Sequence, residues 1–143
     1  MPTIFSRIIS GEFPGRFVWR DSQAVAFLSI EPMRPGHTLV VPREEVDHWT
    51  DLDPAIASHL FLVAQQIGRA QRLEWDPLRV GVLIVGEEVP HVHIHVVPIN
   101  NVGELSFAGV ERSPAPEALD DAAARLRARL RELGHTEADA TDQ

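Results

Sequence analysis

The sequence predicts an α+β domain, in which a five-stranded antiparallel sheet carries one long helix and short helices lie near the chain ends. Three observations favour this fold. Five short apolar segments are bounded by turn residues, one long segment repeats apolar residues at helical spacing, and 143 residues with 44% hydrophobic content suffice for a single core. We therefore predict one domain over residues 1–133 and a polar, acidic, disordered tail over residues 134–143.

The N-terminal part of the chain predicts a short helix followed by three strands. Thr3 can cap the helix, which ends before Gly11. Phe17–Arg20 and Ala24–Leu28 are predicted to form a hairpin across a tight turn, and His37–Val41 is the third strand.

The C-terminal part predicts the long helix, two further strands and a last helix. The long helix begins at Asp53, a capping carboxylate followed by proline, and it fades by Trp75. Arg79–Val85 is a nearly unbroken apolar run, which is typical of a central strand, and we expect it to form a hairpin with His91–Pro98. An amphipathic helix opens at Ser113-Pro114.

Composition excludes several classes of function. Thirteen basic and 21 acidic residues give a formal charge of −8, so we expect no DNA or RNA partner. Because the sequence has neither an apolar run of membrane length nor an export signal, we expect no membrane partner and a cytoplasmic location. Cysteine and lysine are both absent. This excludes thiolate catalysis, zinc bound by sulfur, Schiff-base chemistry and Walker-type phosphate loops.

Three histidines alternate with aliphatic residues in the last predicted strand. His91, His93 and His95 are separated by Val92 and Ile94. Because successive side chains on a strand point to opposite faces, we expect the three imidazoles on one face and the aliphatic side chains in the core.

Three interpretations of this histidine row compete. The first is the solvent-facing side of a half-buried strand, although Thr, Lys, Glu or Arg usually fill such a face. The second is a metal site that combines two histidines with Glu87 or Glu88, since the outer two rings would lie roughly 13 Å apart and could not share one ion. The third, which we favour, is covalent catalysis by a neutral imidazole whose neighbours orient it and stabilise an oxyanion.

The run HVHIHVVP at residues 91–98 resembles the H-x-H-x-H-x-x motif of the histidine triad (HIT) family of nucleotide hydrolases and transferases. Two further stretches, TIFSRIISGEFP from Thr3 to Pro14 and AFLSIEPMRPGHTLVVP from Ala26 to Pro42, resemble the same family, as does the long helix after Asp53. The resemblance covers the chain from about Thr3 to Pro98, and the C-terminal helix matches loosely. It implies the HIT-like fold and a homodimer whose two sheets join across the interface.

The resemblance also implies a role for each histidine. His93 would be the nucleophile that attacks an α-phosphorus, and His95 would contact the phosphate oxygens. His91 and the upstream His37 would complete a hydrogen-bonded row that fixes the tautomer of His93. The expected function is a nucleotide hydrolase or nucleotidyl transferase that passes through a nucleotidyl-histidine, with partly protonated imidazoles neutralising the phosphate charge. The alternative is a nucleotide-binding or sensing module with little catalysis.

The same alignment implies a pocket for the base and sugar of a nucleotide. Its expected lining is Phe5, Ile8, Phe27, Leu28, Ser29, Ile30 and Leu39.

The chain departs from the family at several positions. Many relatives bind zinc through cysteines where Thr3 and Ser6 stand, so we expect no structural zinc and no other cofactor. The family commonly places Asp at the position of Ser29 to hold the ribose hydroxyls, and a neutral serine should hold them less firmly.

The loop beside the phosphate departs most, because it reads Gly86-Glu87-Glu88 where relatives often carry an Asn-rich stretch followed by Gly-Gln-Ser or Gly-Gln-Thr. A carboxylate 4 Å from a phosphate costs about 4 kcal/mol at an effective dielectric constant of 20. We therefore expect both glutamates to point away from the phosphate into solvent.

Overall fold

A computed structural model describes residues 2–141 as an α+β fold built on one five-stranded antiparallel sheet. The strands are β1 Phe17–Arg20, β2 Ala24–Leu28, β3 Thr38–Pro42, β4 Arg79–Leu83 and β5 Ile94–Ile99. Their order in the sheet is β1-β2-β3-β5-β4, and every neighbouring pair is antiparallel. The predicted fold class and both predicted hairpins are confirmed.

Three α-helices accompany the sheet: α1 Ile4–Ile9, α2 Pro54–Trp75 and α3 Pro116–Glu132. The Thr3 hydroxyl accepts a hydrogen bond from the Ser6 amide, and Asp53 caps α2 in the same way, as predicted. Helix α3 begins later than Ser113-Pro114 because Ala115, which precedes a proline, is held in an extended conformation. Within residues 2–141, no helix is long and apolar enough to cross a lipid bilayer.

The two faces of the sheet pack against different helices. Strand residues such as Ala26, Leu28 and Val40 bury themselves under α2 and α3 in the main core. The alternate residues, among them Phe27 and Leu39, pack on the opposite face with Phe5 of α1. Because both faces of β2 and β3 are covered, every residue of these strands is buried.

The expected position of the fourth strand is wrong. Arg79–Leu83 is an edge strand, and its only sheet neighbour in the described chain is β5. An apolar run indicates a strand with both faces shielded but does not indicate what pairs with its two edges. In this chain, Val82 and Val85 are exposed beside an unpaired edge.

The segment after α3 also differs from the expected disordered tail as far as Thr141, while residues 142–143 lie outside the described residues. A short 3-10 helix covers Thr136–Asp139, and Ala138 is buried. The His135 Nε2 atom lies 2.9 Å from Oε1 of Gln66, and its ring packs 5.1 Å from that of Trp19. These contacts with α2 and β1 hold a segment whose polar composition favours disorder.

Candidate active site

A cavity of about 760 Å³ opens on the face of the sheet that α1 covers. Three of the four predicted catalytic histidines, His37, His93 and His95, border it. His91 does not border it and is fully buried. All seven residues predicted to bind the substrate line the cavity, namely Phe5, Ile8, Phe27, Leu28, Ser29, Ile30 and Leu39.

His91 is a structural anchor of the site. Its Nε2 atom lies 2.8 Å from the carbonyl oxygen of Pro42, and its Nδ1 atom lies 2.8 Å from Oγ1 of Thr3. Because a carbonyl can only accept, the neutral ring carries its proton on Nε2 and accepts at Nδ1 from the Thr3 hydroxyl. Both nitrogens are therefore engaged, and His91 joins α1 to the end of β3.

The tautomer of His93 is set by a backbone carbonyl. Its Nδ1 atom lies 2.8 Å from the carbonyl oxygen of His91. The neutral ring must donate at Nδ1, so Nε2 keeps a free lone pair in a ring that borders the cavity. Phe5 packs edge-on against this ring with 4.8 Å between centroids and limits its rotation.

His37 and His95 form a second hydrogen-bonded chain. The Met33 amide donates to Nδ1 of His37 at 3.0 Å, and Nε2 of His37 lies 2.9 Å from Nδ1 of His95. Since Nδ1 of His37 accepts, its Nε2 carries the proton and donates to His95. His95 consequently carries its own proton on Nε2, where it can be donated. The ring centroids of His93 and His95 are 4.9 Å apart, so the ring with the free lone pair and the ring with the free N–H donor are neighbours.

These arrangements correct the expected relay among the histidines. His37 acts on His95 rather than on His93, and His91 fixes the His93 tautomer through its main chain rather than its ring. The reason is local: β5 begins at Ile94, so His91 and His93 precede the sheet ladder and the His91 carbonyl is available to the His93 ring.

Burial keeps the site neutral. Burial, together with the neighbouring imidazoles, lowers the pKa of His37 to about 3 and that of His95 to about 4. Burial also lowers the pKa of His91 and His93 from the ordinary value. The expectation of partly protonated imidazoles is therefore wrong for the free protein at neutral pH, and the site offers N–H dipoles rather than charged rings.

Several residues near the histidines were not singled out from the sequence. The Phe107 ring packs edge-on against His95 with 5.2 Å between centroids, yet it lies in a segment without periodicity. Glu45 accepts hydrogen bonds from the Thr3 amide and from the Ser6 hydroxyl, each at 2.7 Å. Only the tertiary fold brings these residues to the site, so no local pattern could have found them.

Two ion pairs lie among the residues that line the cavity. Arg16 pairs with Asp120 at 2.7 Å, and Arg112 pairs with Glu31 at 3.3 Å. Each cation thus has a carboxylate partner, so these four residues add little net charge to the lining.

Glu87 and Glu88 line the cavity and are also exposed to solvent. No ion pair joins either glutamate to a cation within residues 2–141. The Glu88 carboxylate is near enough to raise the pKa of His93, which partly opposes the effect of burial. Its negative charge therefore acts on the site although the side chain is hydrated.

Several known proteins are similar to this chain in sequence and in fold. The chain is 31% identical over 136 residues to the protein named Protein hit of Bacillus subtilis. This match covers 89% of this chain and 93% of the relative. A zinc-bound histidine triad family protein from Mycobacterium smegmatis is 31% identical, with a TM-score of 0.79, over 92% of this chain and 94% of that chain. A hypothetical histidine triad nucleotide-binding protein from Sulfolobus tokodaii has the same fold, with a TM-score of 0.82, 21% identity and coverage of 98% and 99%.

The Mycobacterium smegmatis protein holds zinc, whereas the side chains beside α1 in this chain do not fit that metal. Thr3, Ser6, Glu45 and His91 converge beside α1, but two of them offer only hydroxyl oxygens. Zinc prefers thiolate, imidazole and carboxylate ligands, and no group of three such residues suited to a metal occurs within residues 2–141. The hydrogen bonds already engage these donors, so the set does not fit zinc.

A sequence model described as the HIT domain matches residues 10–102, which include all four predicted histidines. The match, the relatives and the arrangement of His37, His91, His93 and His95 agree. The chain belongs to the HIT-domain family.

Proposed function

We propose that this protein is a nucleotide hydrolase or nucleotidyl transferase that acts at the α-phosphate of a nucleoside monophosphate derivative. One observation carries the proposal: the His91 carbonyl holds the Nδ1 proton of His93, which leaves Nε2 as a free nucleophile beside the cavity. A neutral imidazole with a fixed tautomer is suited to covalent catalysis.

The reaction has two steps, formation of a nucleotidyl-histidine and its breakdown. The Nε2 lone pair of His93 forms a bond to the α-phosphorus, and the bond from phosphorus to the leaving group breaks with its electron pair on that group. Water then attacks the nucleotidyl-histidine in a hydrolase and loses one proton, which balances the charge of the departed group; in a transferase an oxygen of a second phosphate attacks instead. In both cases the bond between phosphorus and Nε2 breaks, and its electron pair returns to His93. The Nε2–H of His95 donates a hydrogen bond to a phosphoryl oxygen, so positioned dipoles supply the stabilisation that charge would otherwise supply.

The cavity supports a nucleoside as the constant part of the substrate. Its apolar lining from Phe5, Phe27 and Leu39 suits a flat base, and Ser29 is the polar group expected to hold the ribose. The Ser29 hydroxyl accepts from the Glu31 amide at 3.2 Å and keeps its own proton free to donate.

The exposed edge of β4 supports a homodimer, which we include in the proposal. Val82, Ile84 and Val85 are 42%, 38% and 55% exposed beside unpaired main-chain groups. An apolar open edge invites pairing with another strand, and a second copy of this chain offers the same edge.

Replacement of His93 tests the nucleophile. His93→Ala or His93→Gly should lower kcat by on the order of 10⁴-fold or more, because every ring nitrogen of the other three histidines either carries a proton or already accepts a hydrogen bond. The measurement is release of the leaving group from phosphoramidate and dinucleoside polyphosphate substrates, together with trapping of a labelled nucleotide on the protein. His48→Ala, at an exposed histidine outside the cavity, is the matched control.

Full turnover by the His93 variants, or a label mapped to another residue, would refute the nucleophile. Nucleoside monophosphates that raise the melting temperature of the unmodified protein without any turnover would select the binding module instead.

The pH profile tests the neutral state of the site. Burial lowers the pKa of His93, so kcat/KM should stay on its plateau through pH 6.5, the ordinary histidine value, and fall only at lower pH as His93 becomes protonated. Glu88→Gln removes a charge that raises this pKa, so it should move the acid limb to still lower pH. Circular dichroism at each pH confirms that the protein is folded. An acid midpoint at or above pH 6.5 contradicts the assignment.

The charge on Glu87 and Glu88 should select against highly charged leaving groups. The variant Glu87→Gln/Glu88→Gln should lower KM for a dinucleoside polyphosphate by about 3- to 10-fold and change KM for a phosphoramidate with an uncharged leaving group much less, since exposed charges contribute up to about 1 kcal/mol each. Glu44→Gln/Glu117→Gln, at two exposed glutamates outside the cavity lining, controls for the same change in net charge. Equal effects on both substrates, or effects that added salt does not reduce, would count against this role.

The dimer is tested at the strand edge. Sedimentation equilibrium of the unmodified chain should give twice the monomer mass, and Val82→Lys should give the monomer mass because a lysine on an edge blocks pairing. Trp49→Lys, at an exposed site in a different element, should leave the dimer intact. The proposed interface is wrong if the unmodified chain is a monomer at tens of micromolar or if Val82→Lys remains dimeric.

A further inference from the structure

Gln71 of α2 reaches between the two chain segments that carry His37 and His95. Its Nε2 donates to the carbonyl oxygen of Gly36 at 3.0 Å and to that of Val96 at 2.9 Å. The side chain is fully buried in the main core. One amide group therefore ties together two main-chain segments that are far apart in sequence.

Each of the two carbonyls belongs to a residue directly next to His37 or His95 in the sequence. Gly36 precedes His37, and Val96 follows His95. Val96 belongs to the core under α2, whereas the rings of His37 and His95 border the cavity on the other face. The amide of Gln71 on one face and the 2.9 Å ring contact on the other thus clamp the same pair of segments.

The surroundings of Gln71 show that this bridge is specific. Trp75, one turn further along α2, packs so close to Gly36 that a Cβ there would lie 2.4 Å from the indole, and Gly36 has a positive φ of 91°. Oε1 of Gln71 is the one buried side-chain polar atom without a hydrogen-bond partner within residues 2–141. A buried orphan acceptor costs free energy, and packing alone would be served better by an apolar side chain.

We propose that Gln71 is a positioning residue, which adds to the β3–β5 ladder in fixing the separation of the main chains at His37 and His95 and so directs the Nε2–H of His95 at the phosphoryl oxygen. This inference rests on the proposed function. The amide holds the pair from behind the sheet and touches neither substrate nor the reacting atoms.

The test compares Gln71→Leu with Gln66→Leu. Leucine is close in volume to glutamine and removes both donors, so kcat should fall by about 10- to 100-fold while KM changes by less than about 3-fold, because a small misplacement near the reacting centre is costly. Gln66 is buried on the same helix but faces His135 and lies outside the cavity lining. Its leucine variant should lower the melting temperature and leave kcat unchanged.

A second readout is independent of turnover. Nitrogen-15 NMR of the imidazoles should show His95 as the Nε2–H tautomer in the unmodified protein and in Gln66→Leu, and as a mixture in Gln71→Leu. A cycle with His37→Leu should show non-additive losses in kcat, since both changes act through the His37–His95 contact. Gln71→Met replaces Gln71→Leu if the latter fails to fold.

Three results would overturn the inference: a Gln71 variant that lowers only the melting temperature, an unchanged His95 tautomer, or additive losses in the cycle. If the unmodified protein shows no turnover on any nucleotide, the proposed function fails, and the NMR comparison still decides whether Gln71 sets the histidine pair.

Discussion

The hydrogen bond from Nδ1–H of His93 to the carbonyl of His91 is the constraint on which the site depends. It spans only two residues, and it decides which nitrogen of the central imidazole holds the proton. Everything around it keeps that geometry. The Pro42 carbonyl and the Thr3 hydroxyl fix the His91 ring by hydrogen bonds, and the Phe5 ring packs edge-on against the His93 ring. Because the main chain rather than a titrating side chain is the partner, the tautomer does not depend on the protonation of a neighbour.

The chemistry available to this site follows from its low polarity. Four buried imidazoles with lowered pKa values are poor cation sources but good directional donors and acceptors. The arginines nearest the cavity are engaged by carboxylates, and two further carboxylates lie on its rim. A site of this kind gains more from fixed orientation than from attraction of the substrate's charge. In the proposed reaction, neutral N–H donors rather than cationic side chains would therefore hold the phosphoryl group.

Much of the fold was accessible from the sequence because its signals are local. The cap at Thr3, the start of α2 at Asp53 and the β1–β2 hairpin each depend on neighbours a few residues away, and each is confirmed. The edge position of β4 and the packing of Ala138 were inaccessible, because they depend on what the remaining chain leaves uncovered.

The candidate site divides in the same way. The alternation of three histidines was visible in the sequence, and the cavity lining followed from family resemblance rather than from any periodicity. The assignment of each ring's proton was not visible, since it depends on carbonyls of Pro42 and His91 that any residue type would supply. Phe107 and Gln71 reach the site across long stretches of chain, and nothing in their own segments marks them.

The cluster at the start of α1 has a consequence for how the N-terminus becomes ordered. One carboxylate, Glu45, receives both the Thr3 amide and the Ser6 hydroxyl, and these bonds lower its pKa. The stabilisation from these two hydrogen bonds is therefore fully present above the ordinary pKa of a glutamate. It is lost at lower pH, when the Glu45 carboxylate becomes protonated. The segment that supports His91 is thus held by hydrogen bonds whose strength depends on the acidity of the solution.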